Sequence, residues 1–351
     1  MAKVLAALCL SAAAAAAVAA SPVRVFILMG QSNMLGMGNV IGNTTNGTLE
    51  FAVHTEGKYG YLWDAARGAW AVSDTVRNVL IMGSGNQSFE SSALMHNEFM
   101  TVSVAGQQKT IGPELGIGWS LRNFTDEPVM LLKSCIGNRA LGWDLLPPGS
   151  PSFDYVDPKN ASHITTYAGY HESPNAWEKG TTPKPIGWMA GVQYDGDTNR
   201  SSIILDNLGT YYPGATQYEV AGFFWWQGDK DRYDTALSQR YEFNLVNLIK
   251  ELRLQFNAPN ALFVTASLGQ TVMGSTANDG LILQAKLNCA NATVHPEFAG
   301  TVACVYTHPL SMGGASNSHY NGNAETYMNV GQAMGAAMVE LLQKQQRGDK
   351  A

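Results

Sequence analysis

The chain has 351 residues, 45% of them hydrophobic and 14% charged, with a formal net charge of −6. That is enough for one large domain with a full core. No block of lysine and arginine is present to track a phosphate backbone, so nucleic acid is not an expected partner.

Lys3, the uncharged run Val4 to Val18 and the small pair Ala19-Ala20 read as a secretory signal cleaved after Ala20. The run is short for a membrane span of about 20 residues. No later stretch is long and apolar enough to cross a bilayer. The expected product is a single domain over 21–351 with no membrane span, secreted, or periplasmic in a bacterium.

Strands are expected at Val23–Met29, Pro128–Lys133, Val220–Trp226, Ala261–Ala266 and Thr301–Tyr306, short and nearly continuous apolar runs suited to a parallel sheet covered on both faces. Pro113–Arg122 opens with proline and an acid, as a helix does. Asp234–Phe256 sets Leu237, Tyr241, Leu245, Leu248 and Leu252 on one stripe. Gly280–Ala290 is a shorter helix. Ala324–Gln343 repeats the stripe with Met328, Met334, Met338 and Leu341, and Asn323 is its cap. Strands alternating with helices predict an α/β fold with a mostly parallel sheet of about five strands. Residues 35–112 and 142–198 show no period and read as excursions that wall a cleft.

Cys9 leaves with the signal, so Cys135, Cys289 and Cys304 allow at most one intrachain disulfide. Cys289 and Cys304 bracket a loop and are the candidate pair. Cys135 reads as a buried small hydrophobe. Sequons at Asn43, Asn46, Asn86, Asn123, Asn160, Asn199 and Asn291 mark surface wherever glycosylation occurs.

Three segments carry chemistry. Gly30-Gln-Ser-Asn-Met34 delivers Ser32 at the tip of a strand, where open α/β sheets gather their ligands. Phe223-Phe-Trp-Trp-Gln-Gly-Asp-Lys-Asp231 ends a second strand in a polar turn. Ser316-Asn-Ser-His-Tyr-Asn321 precedes the last helix. Together they resemble the SGNH/GDSL hydrolase superfamily, and within it the sialate O-acetylesterase and acetyl xylan esterase group, carbohydrate esterase family 6. Ile111-Gly-Pro-Glu-Leu115 and Leu131-Leu-Lys-Ser-Cys-Ile-Gly137 add to the resemblance. It implies a three-layer α/β/α, flavodoxin-like fold and a hydrolase that removes O-acetyl groups from carbohydrates without metal or cofactor.

Acyl transfer assigns the roles. Ser32 attacks the acetyl carbonyl and His319 takes its proton. By resemblance, the N–H groups of Ser32 and Gly137 and the side-chain amide of Gln227 form the oxyanion hole. Trp143, in an irregular segment, is the candidate sugar platform. Trp225 and Trp226 read as core, since successive strand residues enter opposite layers. One position departs from the family pattern: Ser316 stands where an aspartate would orient His319. A backbone carbonyl could hold the imidazole, an acid from elsewhere could substitute (Asp229, Asp231 or Glu325), or the site is weakened. A degraded, glycan-binding scaffold is the rival reading, and an esterase for short acyl groups unrelated to sugars is a third.

Other assignments fail on spacing. There is no Gly-x-Ser-x-Gly elbow, and no Cys-x-x-Cys or His-Glu-x-x-His for zinc. Asp195, Asp197 and Asn199 have the first spacings of a calcium loop, but Arg200 occupies the position that demands glycine.

Overall fold

The computed structural model describes residues 21–103 and 109–348; the leader read over residues 1–20 lies outside them. Seven strands form the main sheet: β1 (Val23–Gly30), β2 (Val76–Met82), β3 (Ala93–Phe99), β4 (Val129–Ser134), β5 (Tyr218–Trp226), β6 (Leu262–Ala266) and β7 (Val302–Val305). Their order is β7-β6-β5-β1-β4-β2-β3. All neighbours pair parallel except β3, which runs antiparallel to β2. The expectation of about five strands is thus corrected to seven. The two extra strands come from the stretch over 35–112 that showed no period.

Helices cover both faces: α1 (Ser32–Leu35), α2 (Glu114–Phe124), α3 (Val192–Asp206), α4 (Thr235–Gln255), α5 (Asn278–Cys289) and α6 (Ala324–Arg347). The pleat of β1 explains the layers. Val25, Ile27 and Met29 enter one core with Tyr194 of α3, Leu245 and Leu248 of α4 and Ile282 of α5. Phe26 and Leu28 enter the other with Leu115 and Ile117 of α2 and Met328 and Met334 of α6. The two tryptophans divide the same way. Trp225 donates to Tyr241 Oη at 3.1 Å, and Trp226 to the Ser267 carbonyl at 2.9 Å, both fully buried.

Helix starts follow local chemistry. Asp234 caps α4 by accepting from the N–H groups of Ala236 and Leu237, and Asn323 caps α6 by accepting from Thr326 N. The stretch over 142–198 forms a small antiparallel sheet (Phe153–Val156, Ile164–Tyr167 and Ala176–Glu178) and then enters α3. Asp195, Asp197 and Asn199 therefore lie on a helix, not in a calcium loop. Among the described residues no helix is long and apolar enough to cross a membrane.

All three described cysteines are free thiols. The pairing of Cys289 with Cys304 is therefore corrected: Cys289 ends α5, and Cys304 sits on β7. Cys135 is fully buried, and burial pushes its thiol well above the ordinary range. The seven sequon asparagines are all exposed.

Candidate active site

The strand order reverses at β1, which has β5 on one side and β4 on the other. Ligands of open α/β sheets collect at the carboxyl ends of strands at such a point. Gly30 makes the exit from β1. Its φ is +153°, and a Cβ there would lie 2.4 Å from the Trp226 carbonyl oxygen, so only glycine permits this turn against β5. Ser32 follows as the first residue of α1 and is 6% exposed. Gly137, beyond the end of β4, lies against it: a Cβ on Gly137 would sit 3.5 Å from Ser32 Cβ. Among the described residues, neither the Ser32 nor the Gly137 N–H is taken by a backbone carbonyl.

That spacing makes Gly137→Ala informative. A contact of 3.5 Å is ordinary, so the protein should fold and melt as the wild type does. The added methyl enters the space over the Ser32 side chain. Ester turnover should fall about 10- to 100-fold, as for small misplacements at a reacting centre. Steady-state kinetics beside a thermal melt would show it; unchanged turnover would mean that this space is not used.

His319 comes from an unusual turn. Residues His319, Tyr320 and Asn321 have φ of 53°, 54° and 51°, a run of left-handed backbone without glycine. Each such residue costs roughly 1–2 kcal/mol. Surrounding contacts hold it. Tyr320 is fully buried, stacks 5.9 Å from Trp226 and accepts from Gly269 N at 3.2 Å. Tyr320 N donates to the Ala315 carbonyl, and Asn321 Nδ2 to the Gly313 carbonyl. The turn packs on α1. Tyr320 is its anchor and half-buried His319 its outward member. Among the described residues, the imidazole forms no hydrogen bond and has no carboxylate oxygen within 4.0 Å.

The three candidate acids separate cleanly. Asp231 is fully buried; it accepts from Leu141 N at 2.9 Å, Gly142 N at 2.8 Å and the Gln227 amide. Burial pushes its carboxyl up to about 6 against the pull of those donors. Glu325 is paired with Lys58 at 2.6 Å. Neither carboxylate bonds to the His319 segment. Asp229 instead meets the His319 segment: its Oδ1 accepts from Ser316 Oγ at 2.5 Å and from Arg232 Nε at 2.7 Å. The serine in the aspartate's place is itself bonded to an aspartate from the end of β5. Gln270 accepts from the Ser316 N–H at 3.1 Å and completes the clamp.

Two other candidates, Gln227 and Trp143, sit among close neighbours. Gln227 is fully buried, and its amide donates to the Arg139 carbonyl at 2.9 Å and to Asp231. With Gln31 Oε1 also 3.3 Å away, its two hydrogens are shared among three acceptors and none is left for an oxyanion; Gln227 ties the loop after β4 to the loop after β5. Trp143 is half-buried between two small apolar clusters, beside Tyr167 and Leu237 on one side and Leu146 and Ala190 on the other. Part of its surface packs on these clusters and part stays open. Gln31 was overlooked. Its Oε1 accepts from Gln227 Nε2 at 3.3 Å and from Lys230 N at 3.2 Å, which fixes the Ser32 loop to the end of β5. The signal lay in plain view, next to Ser32 in the same motif.

The fold and this convergence of loops define a mixed α/β chain with a serine at its switch point. Residues 195–340 match the family model described as carbohydrate esterase, sialic acid-specific acetylesterase. The match covers less than half of the chain. It includes Gln227, Asp229, Asp231, Ser316 and His319 but neither Ser32 nor Gly137. No curated protein matches the chain. Among solved structures, a protein from Arabidopsis thaliana is similar at 16% identity and a TM-score of 0.50, covering 91% of this chain and 98% of its own. A carbohydrate acetylesterase from Xanthomonas citri is similar at 12% identity and a TM-score of 0.52, covering 93% of this chain and 57% of its own. At these identities the likeness is one of fold.

Proposed function

We propose that this protein is a serine esterase that removes O-acetyl groups from carbohydrates, of acetyl xylan or sialic acid type. Ser32 is the nucleophile and His319 the general base, and Asp229 holds the His319 segment through Ser316. The observation that carries the reading is the convergence of three segments on one point. Ser32 leaves β1, Gly137 lies against it from β4, and the His319 turn packs on α1 while bonded through Ser316 to the end of β5. The family match over residues 195–340 supports an acetylated carbohydrate as substrate.

In this reading Ser32 Oγ adds to the acetyl carbonyl as His319 takes the hydroxyl proton. The oxyanion accepts from the N–H groups of Ser32 and Gly137. Collapse expels the sugar oxygen, which receives the proton from His319 and leaves an acetyl-serine. Water, deprotonated by the same imidazole, releases acetate. Asp229 acts on the turn and not on the imidazole, with Ser316 as the joint between its loop and the turn. Residues 1–20 direct export.

The test is labelling by a fluorophosphonate followed by peptide mapping, with acetate release measured from acetylated xylan and O-acetylated sialic acid. Stoichiometric adduct on Ser32, lost in His319→Ala, is the expected result. A folded protein that neither labels nor releases acetate would be a glycan binder on this scaffold. Cleavage of simple alkyl acetates alone would make it an esterase unrelated to sugars.

A further inference from the structure

Beneath the Ser32 turn lies a buried charge pair that the chemistry above does not use. Lys133, on β4, is fully buried. Its Nζ donates to the Met34 carbonyl at 3.2 Å, the Leu35 carbonyl at 2.8 Å and Glu114 Oε2 at 2.6 Å. An ammonium has three hydrogens, and these are all engaged. The second oxygen of Glu114 accepts from Gly112 N at 3.0 Å.

Two glycines make room for the pair. A Cβ on Gly112 would lie 2.4 Å from Glu114 Oε2 and 3.0 Å from Lys133 Nζ, and a Cβ on Gly36 would lie 2.5 Å from Gly112 Cα. The segment Gly112-Pro-Glu114 therefore crosses close behind the end of α1, where only backbone fits.

We infer that Lys133 and Glu114 are positioning residues for Ser32. This rests on Ser32 being the nucleophile. A helix of four residues is not stable on its own, and its last carbonyls have no partner within the helix. In α1 the closing bonds are Leu35 N to Gln31 O and Gly36 N to Ser32 O. Lys133 collects the two carbonyls that follow Asn33, and Glu114 fixes the ammonium. The turn that presents Ser32 is thus held from its C-terminal side by charge-assisted bonds and from its N-terminal side by β1. Apolar side chains of similar size would fill the same space and are often at least as stabilising as a buried ion pair, but they would leave those carbonyls unbonded and the turn free to shift.

The experiment compares Glu114→Ala, Glu114→Gln and Lys133→Met with the wild type and Ser32→Ala. It reads kcat and KM for 4-nitrophenyl acetate, the rate of fluorophosphonate labelling, and the thermal melt. Glu114→Ala should lower kcat and the labelling rate together, by about 10- to 100-fold, with KM within about threefold. Glu114→Gln keeps an acceptor for the ammonium and should recover most of that loss. Lys133→Met should behave as Glu114→Ala or worse where it folds; where it does not, the Glu114 variants decide. A folded Glu114→Ala with wild-type kcat and labelling, beside an inactive Ser32→Ala, would overturn the positioning role alone. An active Ser32→Ala would overturn the nucleophile and this inference with it.

Discussion

Ser32→Ala is expected to lower acetate release by at least about 10⁴-fold while leaving the melting transition where it was. Removal of a serine nucleophile costs about 10⁶ in turnover in the best-measured serine hydrolase, with a residue of catalysis left to the oxyanion donors and binding. The same should hold here, because alanine leaves the Ser32 and Gly137 N–H groups in place and removes only the attacking oxygen. Stability should stay within about 0.5 kcal/mol, because Ser32 Oγ makes no hydrogen bond with any described residue. Activity and melting measured on one preparation separate the two effects. Activity above about a hundredth of wild type would assign the nucleophile elsewhere.

Asp231→Ala should do the reverse and damage the fold first. The carboxylate satisfies Leu141 N–H, Gly142 N–H and the Gln227 amide from a position with no solvent access. Alanine orphans all three. At about 1–3 kcal/mol for each buried donor left unpaired, offset by release of a buried charge, the expected net loss is about 3–5 kcal/mol. Asp231→Asn keeps one acceptor oxygen but turns a donor toward donors, so it should fall between. The sign with pH follows from the raised carboxyl. Burial lifts the folded-state value from 3.8 to about 6, so the folded state binds more protons across that interval. The stability owed to Asp231 is then fully present below about pH 4 and shrinks as pH rises through 6. Chemical denaturation of wild type and Asp231→Ala at pH 4.5 and pH 7 should show a smaller gap at pH 7. A gap that widens would place the charge in a more polar setting than the hydrogen bonds indicate.

The inner strands and long helices were legible because each buries an uninterrupted apolar run or stripe. What escaped was apolar structure broken by buried polar groups. Strand β2 carries Arg77 and Asn78 near its start. Arg77 is buried by donating to the Tyr211 carbonyl at 2.8 Å and to Asn97 on β3, bonds to positions far along the chain. Helix α3 escaped for the same reason. Its inward face carries Gln193, Asp197 and Arg200, and Asp197 Oδ1 accepts from Ser134, Gln193 and Arg200. Periodicity cannot show a stripe made of such residues. At the site, Ser32, Gly137 and the His319 segment were readable as motifs; Gly137 lies against Ser32, and the His319 segment packs on α1. Asp229 was one of three guesses, because its bond to Ser316 joins positions 87 residues apart. The settings of Gln227 and Trp143 escaped because sequence shows a side chain's type and not which neighbours occupy it.

The position of β1 has a kinetic consequence. The strand that carries Ser32 is near the start of the chain, yet Val23 pairs with Tyr218 and Arg24 with Val129. Both partners emerge well after β1, Tyr218 by far the later, and the His319 turn later still. Contacts so distant along the chain slow folding, because loop closure precedes the reward. Until β5 arrives, β1 offers an open apolar edge, which invites association with other chains. Reactivity at Ser32 should therefore appear only with the last phase of refolding, in step with burial of Trp225 and Trp226 beside it.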